Sequence, residues 1–295
     1  MFYNQPLSVR FGTELLRHVD ERSNIETYWD RLDVAVAWVR ASGVTYLSDS
    51  LTTFLRNGGH LSFVVGIDLK NTTREGLQEL LDLENHGASE TYVYHNEAGS
   101  VFHPKLYLFR NEEEARLIVG SNNMTASGLY TNVEAGLQVD TELQATVIAQ
   151  AVEALDSWRD TTTGLTIKLD ASLLSQLSAE GYVVDEAASR AAIQGERSKR
   201  AARTGAKLFG SRNFAAPPRA PKPSTAGSST ASSTQAPIPS PSVTTSPSAT
   251  GSPPPIAPGT ATPANSGMGA LGSAPAAPGT VLLMRLRKAS TTDRP

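Results

Sequence analysis

Apolar residues fall along the chain in short blocks whose period changes from one block to the next. Leu32 to Arg40 (LDVAVAWVR) is a β-branched, apolar run of strand length, followed by Ser42-Gly43. From Gly43 to Leu55 the spacing of Val44, Leu47, Leu51 and Leu55 predicts a helix, and Gly58-Gly59 stops it. Leu61 to Ile67 (LSFVVGI) is a second continuous apolar strand, of the kind buried on both faces. Thr72 with Glu75 offers a capping box for a helix carrying Leu77, Leu80, Leu81 and Leu83. Short strands are expected at Thr91 to His95, Lys105 to Arg110, Ala115 to Gly120 and Val133 to Val139. An amphipathic helix over Glu142 to Trp158 follows, and another around Leu173 to Leu177 packs back on the domain.

Strand, helix, strand, helix, several strands and a helix predict an α/β fold, a mixed β-sheet flanked by helices. Composition then divides the chain. Nearly all aromatic residues lie before Phe214, and the stretch from there to Thr280 is almost entirely Pro, Ala, Ser, Thr and Gly. It has too little apolar bulk to offset the entropy of ordering it. The expected organisation is a catalytic domain at 1–185, a basic helical or extended arm at 186–214, a disordered Pro/Ser/Ala-rich linker at 215–280, and the start of a truncated second domain at 281–295, where apolar character resumes (VLLMRL).

The formal net charge of −3 says little about partners, but its distribution says more. Between Arg190 and Lys222 nine basic residues share the segment with one acid, Glu196, a pattern suited to a phosphate backbone. The absence of cysteine removes disulfides, thiolate nucleophiles and Cys-based zinc sites. The N-terminus lacks the features of a signal peptide, and no apolar run approaches the ~20 residues that span a bilayer, so a cytoplasmic protein without a membrane partner is expected.

The chemistry concentrates in Val101 to Val139, VFHPKLYLFRNEEEARLIVGSNNMTASGLYTNVEAGLQV. His103 and Lys105 are two apart at the mouth of a strand, so their side chains share a face. Two cations there repel each other unless an anion comes between them. Gly120-Ser121-Asn122-Asn123 ends an apolar strand in a polar turn, and Glu134 opens the next strand with a carboxylate. An imidazole, an ammonium, hydroxyl and amide donors and one carboxylate make a set for phosphoryl transfer. His103 can attack phosphorus, Lys105 and Asn123 can hold non-bridging oxygens, and Glu134 can fix the imidazole tautomer. His86, His95 and His103 fall on no helical i, i+4 spacing and no HExxH occurs, so neither metal nor cofactor is expected.

H-x-K followed by G-S-x-N resembles the HKD signature of the phospholipase D superfamily. The fuller form, with Asn132-Val133-Glu134, looks like its bacterial nuclease branch, which includes metal-independent restriction endonucleases. The resemblance covers about Leu32 to Trp158. It implies a phospholipase D-like fold, catalytic roles for His103, Lys105, Ser121, Asn123 and Glu134, and a two-step reaction through a phosphohistidine. A second histidine would protonate the leaving oxygen and then activate water. Of five histidines only His103 lies in an HxK, which implies a homodimer with the site shared across a two-fold axis. The signature's acid, five residues after the lysine, is replaced by Arg110. The expected function is therefore a nuclease, on DNA before RNA. The alternatives are a phosphodiesterase acting on a lipid or other small phosphodiester, and a catalytically degenerate dimeric DNA-binding or defence module.

Overall fold

The computed structural model describes residues 1–21, 29–201, 210, 212 and 214–221. The chain divides into two units, Met1–Ser229 and Thr230–Pro295. The second unit lies outside the described residues, and with it go most of the expected linker and the segment 281–295.

In the first unit the strands are β1 (Phe2–Gln5), β2 (Arg31–Val36), β3 (His60–Gly66), β4 (Ala88–Tyr94), β5 (Lys105–Arg110), β6 (Glu114–Gly120), β7 (Glu134–Glu142) and β8 (Thr166–Lys168). The helices are α1 (Phe11–Asp20), α2 (Ala41–Val44), α3 (Ser48–Arg56), α4 (Arg74–Asp82), α5 (Thr146–Arg159), α6 (Ala171–Ala179) and α7 (Glu186–Ala201). All eight strands form one sheet in the order β1-β7-β6-β5-β2-β3-β4-β8. Strands β2, β3 and β4 run parallel through helical crossovers, and every other pairing is antiparallel. The mixed α/β sheet expected from the sequence is the one observed.

Strand alternation sorts side chains onto two cores. One face carries Val34, Val36, Phe63 and Val65, covered by α1, α3, α4 and α6 through such residues as Leu15, Phe54, Leu77 and Leu174. The other carries Ala35, Val64, Leu106 and Leu108 beneath Ile148, Ala151 and Leu155 of α5. None of the described helices is long and apolar enough to cross a membrane.

Several boundaries differ from the periodicity, each for a local reason. The helix expected over Gly43 to Leu55 is two, α2 and α3, with the break at residues 45–47. Gly43 sits against the Met124 carbonyl, where a Cβ would come within 2.4 Å, so a backbone contact fixes α2. The helix cap is Thr73, whose Oγ1 accepts from the Gly76 N–H at 3.2 Å. Thr72 is instead a buried clamp that donates to the Gly66 carbonyl at 2.6 Å and accepts from the Val39 N–H at 3.2 Å. Glu75 accepts from the backbone N–H of Glu186 at 2.8 Å, tying α7 to α4. Strand β7 continues through Glu142, so α5 begins at Thr146. Neither β1 nor α1 was marked by the apolar pattern.

Candidate active site

The sheet topology brings distant parts of the sequence to one edge. Parallel strands β2, β3 and β4 end where antiparallel β5 begins, with Val36 opposite Lys105. Strand β6 ends and β7 starts at the same edge, with Gly120 opposite Gly136. His103, Lys105, Ser121, Asn123 and Glu134 therefore all lie along one rim of the sheet. Gly120 is required there, since a Cβ would lie 2.5 Å from the Ala135 carbonyl.

The turn after β6 is held from several sides. Tyr107 Oη donates to the Asn122 carbonyl at 3.0 Å, and Asn122 Nδ2 donates to the Gly128 carbonyl at 2.8 Å. Asn123, 8% exposed, accepts the Trp38 backbone N–H through Oδ1 at 3.1 Å. That bond fixes which end of the amide is which and leaves the Nδ2 donor for a ligand.

Lys105 is only 6% exposed. Its ammonium lies 2.8 Å and 3.0 Å from the two ring nitrogens of His103 and donates to the His103 carbonyl at 3.0 Å. Burial lowers the Lys105 ammonium to about 8, against a smaller opposing pull from Glu134. Burial and then the charge of Lys105 lower the His103 imidazole below its ordinary value. The His103 shift favours a neutral imidazole, the form with a lone pair to give.

Glu134 is bonded elsewhere than the sequence suggested. Its carboxylate accepts from Ser121 Oγ, and from Asn132 Nδ2 at 3.0 Å. Ser121 Oγ in turn accepts the Ala135 N–H at 3.0 Å. The hydrogen bonds of the imidazole go to Lys105, and Glu134 acts on Lys105 through its charge. Asn132 joins the site by holding Glu134 in place.

One residue of the rim was missed. The indole of Trp38 meets the edge of His103 with centroids 5.2 Å apart, and Lys105 Nζ lies 5.5 Å from its centroid. Its Nε1 is buried with no hydrogen-bond partner among the described residues, a rare state for a donor. The only sequence signal was an aromatic residue at a strand end. Its place beside His103 follows from the pairing of β2 with β5, which apolar periodicity does not reveal.

Arg110 lies at the far end of β5, five residues and roughly 17 Å from Lys105. There it donates to Asp33 Oδ2 at 2.6 Å, so it takes no part in the rim. Among the described residues, no group of three or more His, Asp or Glu is placed to hold a metal ion.

A second feature of the same rim is a cavity of about 200 Å³ where β4, β8 and α6 meet. Next to it the loop after β3 holds Leu69 at φ 60° and Lys70 at φ 53°. The left-handed region costs a branched or long side chain on the order of 1–3 kcal/mol.

Residues 30–158 match the family model described as cardiolipin synthase, PLD-like domain. No curated protein matches the sequence. Among solved structures, the chain is similar to Nuc of Salmonella typhimurium, a phospholipase D family member, at 16% identity and a TM-score of 0.42, covering 58% of this chain and 97% of that one. NucT of Helicobacter pylori shows 10% identity and a TM-score of 0.43, covering 57% of this chain and 98% of that one. Yeast tyrosyl-DNA phosphodiesterase shows 13% identity and a TM-score of 0.33, covering 44% of this chain and 32% of that one. Residues 30–158, in which the HxK and GSxN residues converge on one rim, are a PLD-like domain.

Proposed function

We propose that the protein is a metal-independent nuclease that cleaves DNA through a phosphohistidine, in a site completed by a second copy of the chain. The observation that carries this reading is the His103–Lys105 pair, an imidazole 2.8 Å from a buried ammonium with no anion between them among the described residues. A bound phosphodiester would supply that anion. Lys105 and the Asn123 amide hold its non-bridging oxygens. A ring nitrogen of His103 then attacks phosphorus, a P–N bond forms and the P–O bond to the leaving oxygen breaks. The protonated imidazole of the partner subunit's His103 gives its proton to that oxygen. It next takes a proton from water, whose oxygen attacks phosphorus and releases His103. The two imidazoles titrate as a coupled pair, which allows one to be neutral while the other is charged.

The dimer is supported by what lies beside the rim. Phe2, Leu137 and Val119 face one another across β1, β7 and β6 and all are exposed, as is Val133 next to Glu134. The choice of nucleic acid rests on the basic run from Arg190 to Lys222.

The test is cleavage of plasmid and single-stranded DNA in EDTA by the wild type and by His103→Ala. Cleavage by the wild type alone, with both proteins dimeric by light scattering, supports the reading. Retained cleavage in the variant, or a wild type that needs added metal, overturns it.

A further inference from the structure

His95 is one of four histidines that the proposed chemistry leaves unused, yet it is held as firmly as a functional one. Its Nδ1 lies 2.7 Å from Asp68 Oδ1. The other oxygen of Asp68, a residue only 8% exposed, accepts the backbone N–H of Phe102 at 2.9 Å. Phe102 precedes His103, so one carboxylate fixes both His95 and the backbone leading into the catalytic histidine.

His95 faces the cavity of about 200 Å³. Its floor is apolar, with Ile67, Val93 and Leu177, and its polar wall holds Glu97, Gln176 and Glu180. Glu97 accepts from Tyr182 Oη, and the Tyr182 and His95 rings meet edge to face at 5.4 Å. The carboxylates repel phosphate and favour a group that presents N–H donors.

Position links the cavity to the catalytic rim. His95 follows β4 and Lys105 opens β5, three strand spacings or roughly 14 Å apart in the sheet order β5-β2-β3-β4. Between them runs the loop after β3, where the left-handed Leu69 and Lys70 are both exposed. Strained backbone of this kind persists where the surroundings hold it in place.

Resting on the nuclease reading, we infer that the His95 cavity is a base-binding subsite for a single-stranded segment of the substrate. It favours bases with an exocyclic amino group, and Lys70 holds the phosphate backbone on its way from there to His103. The amino group donates to Glu97 or Glu180, and the ring lies on the apolar floor.

The full-length dimer is tested on oligo(dC) and oligo(dT), pyrimidines that differ where cytosine donates and thymine accepts. Each rate is divided by that for bis(p-nitrophenyl) phosphate, which has no base. The wild type is expected to favour oligo(dC) at least about fivefold. Gln176→Trp, which blocks the cavity mouth, should bring that ratio close to one. Glu97→Gln, at an exposed position, should lower it and serves if the first variant does not fold. Lys70→Ala should slow both oligonucleotides alike. A wild-type ratio near one, or a preference that survives Gln176→Trp and Glu97→Gln, overturns the subsite and leaves the nuclease reading intact. If neither oligonucleotide is cut while the small diester is hydrolysed, both readings fall. Cleavage of phosphatidylethanolamine vesicles that Gln176→Trp abolishes would then assign the cavity to a lipid ammonium.

Discussion

Asp33 and Lys105 lie on neighbouring strands, three register positions or about 10 Å apart, and both are almost wholly shielded from solvent. Asp33, 0% exposed, has three guanidinium groups around it: Arg31 at 2.8 Å, Arg110 at 2.6 Å and Arg159 at 3.0 Å. Burial pushes its carboxyl up, but the bonds and charges of Arg31 and then Arg110 outweigh this and hold it below the ordinary range. Among the described residues Lys105 has an imidazole, a carbonyl and an indole face within reach, and burial lowers it. The first cluster is closed, with each charge answered inside the protein. The second is left one anion short, which is what a site for phosphate requires. Buried charge by itself does not mark function; the missing counter-charge does.

Substitutions at the two ends should separate stability from chemistry. The largest effect is expected at the open end, where His103→Ala should lower DNA hydrolysis by at least about 10⁴-fold, as loss of a nucleophile does. Its melting temperature should stay within about 2 °C of the wild type, read by calorimetry. At the closed end Asp33→Ala removes the buried carboxylate that three arginines share and should cost about 3–5 kcal/mol in denaturant unfolding. Dimer that remains folded should keep its turnover per active site, and a specific loss of turnover there would blur the distinction.

Smaller effects come from pH. His18, fully buried, touches Tyr3 Oη at 3.2 Å and Arg116 at 2.6 Å, and burial followed by the charges of Arg116 and Arg17 lowers it to about 4. The folded protein refuses the proton that the unfolded chain accepts near pH 6.5. Stability should therefore be full above that pH and fall by about 3 kcal/mol as the pH drops to about 4. His18→Gln should flatten this dependence in urea titrations. At the rim, kcat/KM should rise as one His103 loses its proton below pH 6.5, and fall at higher pH as the partner subunit's His103 and then Lys105, near pH 8, lose theirs. Lys105→Arg should move the step near pH 8 to higher pH, and an unchanged step would assign it to another group.

What the sequence disclosed depended on the range of the contact. His103 and Lys105 were legible because strand alternation is local, and β5 begins and ends where the apolar run predicted. The GSNN turn was legible because polar residues follow an apolar strand. Trp38 was not, because its neighbours come from the pairing of β2 with β5. The partners of Glu134 were not either, since they depend on a loop whose shape is set by Gln5. Arg110, a departure from the motif in sequence, proved in space to be the partner of Asp33.

That role of Gln5 bears on the order in which the chain is made. Strand β1 is made well before β7, with which it pairs, and Gln5 donates to the carbonyls of Gly128 and Asn132, the latter 127 residues away in sequence. At ordinary rates of synthesis that wait is on the order of ten seconds. Until it ends, the loop that carries Asn132 lacks its clamp, and Glu134 lacks the neighbour that holds it. The rim is finished by an early strand joining the last-made strand of the rim, so a nascent chain carries His103 well before it carries a finished rim.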